Sequence, residues 1–519
     1  MTIAKVLWVD DEIDSMNSHV LFLRQKGYDV HTFTNGFDAI DYLSNNYADV
    51  VLLDESMPGI SGLQVLQQIK SNNSNLPVVL ITKNEAENIM DEAIGSQISD
   101  YLIKPVNPNQ VLLSLKKFID NKRLVAEKTT SAYQQEFRTL FMALNDNPDY
   151  REWTNIYRKL VYWELEIQKS ASQEMLEVFQ TQKQEANTEF FKFISKNYSK
   201  WVSPQSDDGP IMSHNLLKFK VLPHLQKGIP LFFILIDNLR FDQWKAIQHL
   251  FAENFRILEE DTFYAILPTA TQYARNAIFA GMLPLEIEKK FSDKWKNDDE
   301  EGGKNLHEEV FLADLLKREG LSDLKTSYTK ITNHQDGQKL VDNIHNLLQN
   351  DLNVIVYNFV DMLSHARTEM EVLKELAGDE SSYRSLTSSW FEHSALNQSL
   401  KKISEKNINL ILATDHGSTR VKTPAKVVGD KQTTSNLRYK HGRNLDYDAK
   451  DVLAFKDPKQ AGLPSPNVNS SYVFAKGDLF LCYPNNYNHF VNYYRNTFQH
   501  GGVSLEEMIV PIVKMTGKQ

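Results

Sequence analysis

Cysteine is almost absent from this chain of 519 residues: Cys482 is the only one. A lone thiol excludes an internal disulfide and fits a reducing compartment, so the expected location is cytoplasmic. Long apolar runs are missing as well. The longest, Leu231–Ile236, falls far short of the ~20 residues that span a bilayer, so no membrane span is expected. The N-terminus reaches Asp10-Asp11-Glu12 almost at once, which reads as a chain without a signal peptide. Basic charge is also in short supply. A net charge of −10 argues against a protein whose whole surface binds nucleic acid, while leaving room for a local basic site. Glycine, finally, disappears between residues 123 and 203. What remains is ordinary for a globular protein, with 41% apolar and 24% charged residues. The length calls for two or three domains.

Residues 1–122 alternate apolar strand runs with helical stretches: Lys5–Val9, Asp29–Phe33, Asp49–Leu53, Pro77–Ile81 and a short Asp100–Ile103. This is the pattern of a doubly wound parallel sheet. Acids stand where strands end, Asp10 and Asp11 after the first and Asp54 after the third. Strand ends converge on one crevice in such sheets, and clustered carboxylates there suit a hard cation, Mg²⁺. Thr82 and Lys104 close two further strands at the same edge. The segment resembles a two-component receiver domain, through Asp10-Asp11-Glu12, Asp54 in Leu-Leu-Asp-Glu-Ser-Met-Pro-Gly, Thr82 and Lys104-Pro105. That resemblance implies a CheY-like fold and a cognate histidine kinase that phosphorylates Asp54. It also implies Mg²⁺ held by Asp10, Asp11 and Asp54, phosphoryl contacts from Thr82 and Lys104, a cis Lys104-Pro105 peptide and an aromatic switch at Tyr101.

From 123 to 205 the apolar period becomes helical. Phe137, Leu140, Phe141 and Leu144 form one stripe, Trp153, Ile156, Tyr157, Leu160 and Val161 a second. A third runs through Met175, Val178 and Phe179 to Phe190, Phe191, Ile194 and Tyr198. Three amphipathic helices predict a small bundle, with Pro148 suited to the first turn of the second. No short turn introduces a basic recognition helix, so no DNA-binding domain is expected. The bundle reads as a spacer, relay or docking surface.

Residues 206–519 begin a second α/β unit. Leu231–Ile236 runs into Asp237, Val354–Val360 into Asp361 with His365 a turn later, and Leu410–Ala413 into Thr414-Asp415-His416-Gly417. His500-Gly501-Gly502 follows near the C-terminus. Acids and imidazoles recurring at strand ends supply ligands for two divalent ions, Zn²⁺ before Mn²⁺. His249, His307, His334 and His345 have no such placement and read as ordinary surface histidines. Thr271 opens a helix after Leu267-Pro268-Thr269-Ala270, where backbone N–H groups favour a developing alkoxide. Arg275, one turn on, could steady phosphate oxygens.

The order Asp237, Thr271, Asp361-x-x-x-His365, Asp415-His416, His500 resembles the alkaline phosphatase superfamily in its PglZ branch. The resemblance implies one zinc held by Asp361, His365 and His500. A second would be held by Asp237, Thr271, Asp415 and His416, with Thr271 attacking phosphorus to form a phosphothreonine that is then hydrolysed. Receiver, bundle and PglZ domain in one chain resemble the response regulators of type IX secretion and gliding. For those, a sigma factor or a component of the secretion machinery is the implied partner, and a homodimer forms on phosphorylation. A sulfatase is the weaker alternative, because sulfatases use a modified cysteine where this chain has Thr271.

Two segments bear on substrate. Ser292–Lys304, rich in Asp, Glu and Lys, is expected to be a solvated, mobile loop. Ser418–Arg443 carries seven basic residues against one acid, Asp430, in an otherwise acidic chain. It reads as an electrostatic funnel for a nucleotide or oligonucleotide diester, with Arg438, Lys440, His441 and Arg443 as contacts and Tyr439 as a stacking platform. The competing view of the whole chain is a phosphorylation-switched dimerising scaffold whose zinc domain senses rather than catalyses.

Overall fold

The computed structural model describes residues 4–73, 76–83, 98–170, 173–203, 208–298, 300–358, 360–361, 378–406, 408–430, 433–467 and 469–518. His365 and Lys431 lie outside the described residues. Two compact units are present, residues 1–134 with 169–172, and residues 135–168 with 173–519.

The first unit is a five-stranded parallel sheet, β1 (Ala4–Val9), β2 (Tyr28–Phe33), β3 (Val50–Asp54), β4 (Val78–Thr82) and β5 (Asp100–Ile103), in the order β2-β1-β3-β4-β5. Helices α1 (Asn17–Gln25), α2 (Gly36–Asn45) and α3 (Gly62–Asn72) connect the strands. Two apolar clusters cover the two faces, one around Trp8, Val30 and Leu52, the other around Leu7, Val51 and Leu53. Consecutive residues of β1 and β3 thus pack on opposite faces, which is why these strands are continuous apolar runs rather than alternating ones.

Helix α4 (Pro108–Asn145) crosses the division between the units, and the second unit then has α5 (Tyr150–Ser170) and α6 (Gln173–Trp201). Leu140 and Leu144, all five expected positions of α5, and Phe179, Phe190, Ile194 and Tyr198 of α6 are buried. Phe141 and Val178 are exposed, because they sit at the rim of their stripes. Pro148 lies two residues ahead of the first residue of α5. The cap is Asp149, whose Oδ1 accepts the N–H groups of Arg151 and Glu152 while Glu152 Oε2 accepts the Asp149 N–H.

Six strands form the main sheet of the second unit: β6 (Leu231–Ile236), β7 (Phe255–Tyr264), β8 (Thr326–Ile331), β9 (Leu352–Tyr357), β10 (Asn409–Ala413) and β19 (Ile509–Gly517), in the order β7-β19-β10-β6-β9-β8. β10, β6, β9 and β8 are parallel, and β19 runs antiparallel between β10 and β7. The three strands expected from sequence therefore lie side by side as β10, β6 and β9, and their C-terminal ends share one edge. Residues between β10 and β19 build smaller sheets. β11 (Thr419–Arg420) pairs β18 (Phe498–Gln499), β12 (Thr423–Val428) lies between β14 (Asp446–Tyr447) and β17 (Leu479–Cys482), and β16 (Ser470–Ala475) lies between β13 (Tyr439–Arg443) and β15 (Val452–Phe455). Flanking helices include α7 (Phe241–Asn254), α8 (Thr271–Ala280), α9 (Glu308–Arg318), α10 (Glu380–His393) and α11 (Leu505–Met508). None of the described helices is long and apolar enough to cross a membrane.

Candidate metal centre and receiver pocket

β6 ends at Ile236, Asp237 follows, and the chain turns sharply there through Asn238 at φ 61°. A short polar side chain tolerates this left-handed conformation better than most. The Asn238 N–H donates to Asp415 Oδ1 (3.2 Å) and the Leu239 N–H to Thr414 Oγ1 (2.9 Å), so the turns after β6 and β10 are locked to each other. Asp237, Asp415 and His416 are all buried and offer ligand atoms within 4.8 Å of one another. His416 Nδ1 faces the Gly417 carbonyl at 3.0 Å, leaving Nε2 aimed at Thr271.

Thr271 is the first residue of α8. Its Oγ1 lies 3.0 Å from His416 Nε2 and 3.3 Å from Asp237 Oδ1. His500 stacks on His416 with ring centroids 4.4 Å apart, and its Nε2 is 3.5 Å from Asp361 Oδ1. Its Nδ1 faces the Thr269 carbonyl at 3.2 Å. Asn238 Nδ2 contacts Asp361 Oδ1 at 3.4 Å and bridges the two groups. Asp237, Thr271, Asp361, Asp415, His416 and His500 are thus in one place, although 263 residues of sequence separate the first from the last.

Two buried carboxylates this close cannot both ionise without a cation between them. Burial pushes Asp237 well above the usual carboxylate range, with Asp415 and Asp361 adding to the effect. Burial acts the same way on Asp415, but Arg275, His416 and the Asn238 N–H together hold it below that range. Mixed carboxylate and imidazole donors on rigid strand ends fit a divalent transition metal.

Arg275 is placed differently from the sequence expectation of a phosphate clamp. The guanidinium is fully buried, donates from Nε to Asp415 Oδ2 (2.9 Å) and pairs with Asp237. Its Nη1 donates to Asn358 Oδ1 (3.1 Å) and lies 3.7 Å from Glu308. With two buried acids in reach, the strongest electrostatic partner is internal, and the side chain points away from solvent. Glu308, on α9, also binds Lys330 at 3.0 Å. Neither Asn358 nor Glu308 was identified from sequence. Asn358 follows a strand that was read as running on to Val360, and Glu308 has no local signal at all.

The basic stretch is a second correction. Arg438 is fully buried, with Nη2 2.6 Å from Glu507 Oε2 and Nε 3.1 Å from its Oε1. Lys440 is buried too, donating to the Thr434 carbonyl (3.1 Å) with its ammonium over the Tyr483 ring. Burial lowers its pKa to about 7. His441 stacks on Tyr472, and exposed Arg443 pairs with Asp430 at 3.0 Å. Tyr439 is buried and donates to Asp298 (3.1 Å). Arg438 precedes β13 and the others lie on it, a strand in a packed sheet; with Arg438, Lys440 and His441 buried, the four expected contacts do not form a solvent-facing funnel. Arg420, Lys422 and Lys426, on and beside β11 and β12, retain exposure.

Ser292–Lys304 is solvated at Ser292, Asp293 and residues 300–303, while residues 295–298 and Lys304 are tied to the body of the domain. Trp295 is buried, Gln272 Nε2 donates to the Lys296 carbonyl (2.7 Å), Tyr273 Oη to Asp298 (2.7 Å) and Asn276 Nδ2 to the Lys304 carbonyl (3.1 Å). α8, the helix that Thr271 opens, thus meets part of the segment's polar groups.

In the first unit Asp10, Asp11 and Asp54 form a second carboxylate cluster, with Asp11 exposed. Lys104 Nζ lies 2.9 Å from Asp10 and 3.0 Å from Asp54. Burial pushes Asp54 up to about 6 despite Lys104. Thr82 Oγ1 donates to Glu55 (3.2 Å), the Lys104–Pro105 peptide is cis, and Tyr101 is exposed.

The family model of the BREX system PglZ alkaline phosphatase-like domain matches residues 216–515, more than half of the chain. The chain belongs to this PglZ family. The response regulator receiver domain matches residues 6–116 and the PorX response regulator linker domain residues 123–202, so the PglZ domain here stands in a PorX-type architecture. Curated relatives match a part of the chain. The phosphoglycerate transport system transcriptional regulatory protein PgtA of Salmonella typhimurium is 29% identical over 154 residues, 30% of this chain and 35% of that protein. Regulatory protein VanRc of Enterococcus gallinarum is 30% identical over 26% of this chain and 57% of its own. The chain thus spans about a third to somewhat over half of the length of these relatives. Among solved structures, chemotaxis protein CheY4 of Vibrio cholerae is 29% identical over 22% of this chain and 98% of its own, with a TM-score of 0.21. A receiver domain protein from Methanospirillum hungatei is 21% identical over 23% and 94%, with a TM-score of 0.22. The matched family models make the protein a two-component response regulator with a receiver domain and a PglZ alkaline phosphatase-like domain. Domains of both kinds generally use metal ions.

Proposed function

We propose that the C-terminal part, residues 206–519, is a dinuclear-zinc phosphodiesterase acting on nucleotides or oligonucleotides. Its regulator is the receiver, residues 1–122, phosphorylated on Asp54, with residues 123–205 as the linker domain. The observation that carries this reading is the position of Thr271 Oγ1, 3.0 Å from His416 Nε2 and 3.3 Å from Asp237 Oδ1 at the start of a helix.

Asp237, Thr271, Asp415 and His416 would hold one zinc ion, and Asp361, His365 and His500 the other. Asp10, Asp11 and Asp54 would hold Mg²⁺. When bound, the zinc ions supply positive charge that lowers the hydroxyl pKa and offsets phosphoryl charge. The chain's own residues do the rest. Asp237 and His416 fix the direction of Oγ1, and the first-turn N–H groups of α8 favour its alkoxide. The Oγ1–P bond forms as the bond to the ester oxygen breaks. The Thr271 proton leaves toward the Asp237 acceptor, the ester oxygen departs as an alkoxide, and it takes up that proton through solvent to give the alcohol and restore the Asp237 carboxylate. Water then cleaves the phosphothreonine and restores the hydroxyl.

A diester is favoured over a monoester because Arg420, Lys422 and Lys426 leave basic charge at the surface beside β11 and β12. Bis(p-nitrophenyl) phosphate and p-nitrophenyl phosphate, assayed with Zn²⁺ on the wild type and Thr271→Ala, test the reading. Turnover of the diester in the wild type, lost by ~10³-fold or more in the variant, is expected. No turnover of either ester by the wild type would sink it.

A second reading, compatible with the first, is a phosphorylation-switched dimer. Tyr101, Ile103 and Leu113 are exposed apolar residues on β5 and α4 of the receiver unit. Such a surface supports homodimerisation once Asp54 is phosphorylated. In that setting the protein would act in the cytoplasm to control type IX secretion and gliding, through a sigma factor or a component of the secretion machinery.

A further inference from the structure

The linker helices are closer to the chemistry than a spacer needs to be. Tyr198 of α6 is fully buried, and its phenol oxygen accepts the Leu267 N–H at 2.8 Å. Leu267 opens the Leu-Pro-Thr-Ala segment that ends at Thr271. That segment is otherwise tied to the His500 loop, through Thr269 Oγ1 to the Gly502 carbonyl (2.9 Å) and the Gly501 N–H to Thr269 Oγ1 (3.0 Å). Eleven residues earlier on the same helix, about 16 Å along its axis, Asn187 engages α11. Its Oδ1 accepts the Leu505 N–H at 2.8 Å, and its Nδ2 donates to Glu506 Oε2 at 3.2 Å. Lys183, one turn away on the same face, pairs with Glu506 Oε1 at 3.0 Å and with Glu164 of α5 at 2.9 Å.

The α11 turn stands directly behind the ligand turn. Glu507 accepts the Gly417 N–H at 3.1 Å, and the Glu506 carbonyl fills the space where a Gly417 Cβ would be. Gly417 follows His416 in sequence. One side chain of α6 therefore fixes the segment that delivers Thr271, and another fixes the turn that backs Asp415-His416. Both do so by accepting buried backbone N–H groups, which are costly to leave unpaired and directional when paired. Leu505 N is a first-turn donor of a helix, with no partner available inside that helix.

We propose that Tyr198 and Asn187 of the linker helix are positioning residues of the metal centre, Tyr198 for the nucleophile and Asn187 for the His416 turn. The inference rests on the reading of Thr271 as nucleophile and of Asp415 and His416 as ligands. It makes the linker domain a structural part of the active site, so any movement of α6 is felt by both halves of the site at once.

The test uses full-length chain, wild type, Tyr198→Phe, Asn187→Ala and Thr271→Ala. The readouts are turnover of bis(p-nitrophenyl) phosphate and zinc affinity by competition with a chromophoric chelator. Tyr198→Phe keeps the ring and loses one acceptor. Its kcat is expected to fall about tenfold with KM within about twofold and zinc affinity unchanged, since a displaced nucleophile costs rate rather than binding. Asn187→Ala is expected to weaken zinc binding about tenfold. Wild-type kcat in Tyr198→Phe together with wild-type zinc affinity in Asn187→Ala would overturn the proposal, while an inactive Thr271→Ala would keep the functional reading intact. An inactive wild type instead removes the functional reading, and the zinc arm alone then decides for or against Asn187. If Asn187→Ala does not fold, the kcat–KM split of Tyr198→Phe decides.

Discussion

Gly417 lies so close against the Glu506 carbonyl oxygen that no Cβ fits between them. The obstruction is backbone, which cannot rotate away as a side chain can. Gly417→Ala should therefore cost ~1–3 kcal/mol of stability by overpacking. Because the strain falls next to His416, zinc affinity should drop as well. Denaturant unfolding and chelator competition on the same preparation check both. A variant with wild-type stability and affinity would show that the α11 turn yields freely.

Arg275 sits between Asp237 and Asp415 and pairs with both buried carboxylates. Arg275→Met should destabilise the metal-free protein by ~3–5 kcal/mol, the usual result of removing one partner from a buried charge cluster. Added Zn²⁺ should recover more stability in the variant than in the wild type. Thermal melts with EDTA and with excess Zn²⁺ give the comparison. Equal zinc-induced shifts would mean that the arginine does not share the ligand carboxylates.

Lys440 gives a pH-dependent stability. Its folded pKa is lowered by burial from 10.5 to about 7, so the unfolded chain binds the extra proton between those values. Stability then rises with pH from about 7 to about 10 on this account, and the penalty is fully present below 7. The neighbouring Cys482 thiol, pushed up to about 11 by burial, stays neutral through that window. Lys440→Met should gain up to ~2–4 kcal/mol at pH 7, less whatever the unpaired Thr434 carbonyl costs, with the gain fading toward pH 10. Urea unfolding at pH 7 and pH 10 measures it. A gain that is the same at both values would refute the titration.

Asp54 is the buried carboxylate at the end of β3, with Lys104 at 3.0 Å. Acetyl phosphate with Mg²⁺ should retard the wild type on a phosphate-affinity gel, and Asp54→Asn should abolish that shift. Lys104→Ala should leave phosphorylation possible but uncouple it from any change in oligomeric state, because the lysine is the group placed to register the new charge. Light scattering with beryllofluoride on both proteins distinguishes the two effects.

Much of the site was legible because its signal is local. An apolar run ending in an acid marks a buried strand delivering a side chain at its tip, and β6, β9 and β10 each do so within a few residues. The receiver strands were legible for the same reason, and their starts and ends differ from expectation by about one residue. Partner choice was not legible. Arg275 and Arg438 look like substrate-facing cations in sequence, yet Asp237, Asp415 and Glu507 claim them, and those acids lie 38, 140 and 69 residues away. The Ser292–Lys304 segment divides in the same way: residues 296, 298 and 304 are held by α8, while Asp293, Glu300 and Glu301 stay solvated.

By itself the sequence determined the order of the domains, the parallel strands and the identity of the residues that meet at their ends. Backbone periodicity and strand-end chemistry depend only on neighbours along the chain. Only the tertiary structure decided that β19 enters the sheet antiparallel between β10 and β7, that Lys440 and His441 of β13 are buried, and that α6 engages Leu267 and the α11 turn through Tyr198 and Asn187. Those outcomes follow from pairing buried charges and backbone N–H groups across long sequence separations, where the cost of an unmet partner selects the arrangement and no local pattern records it.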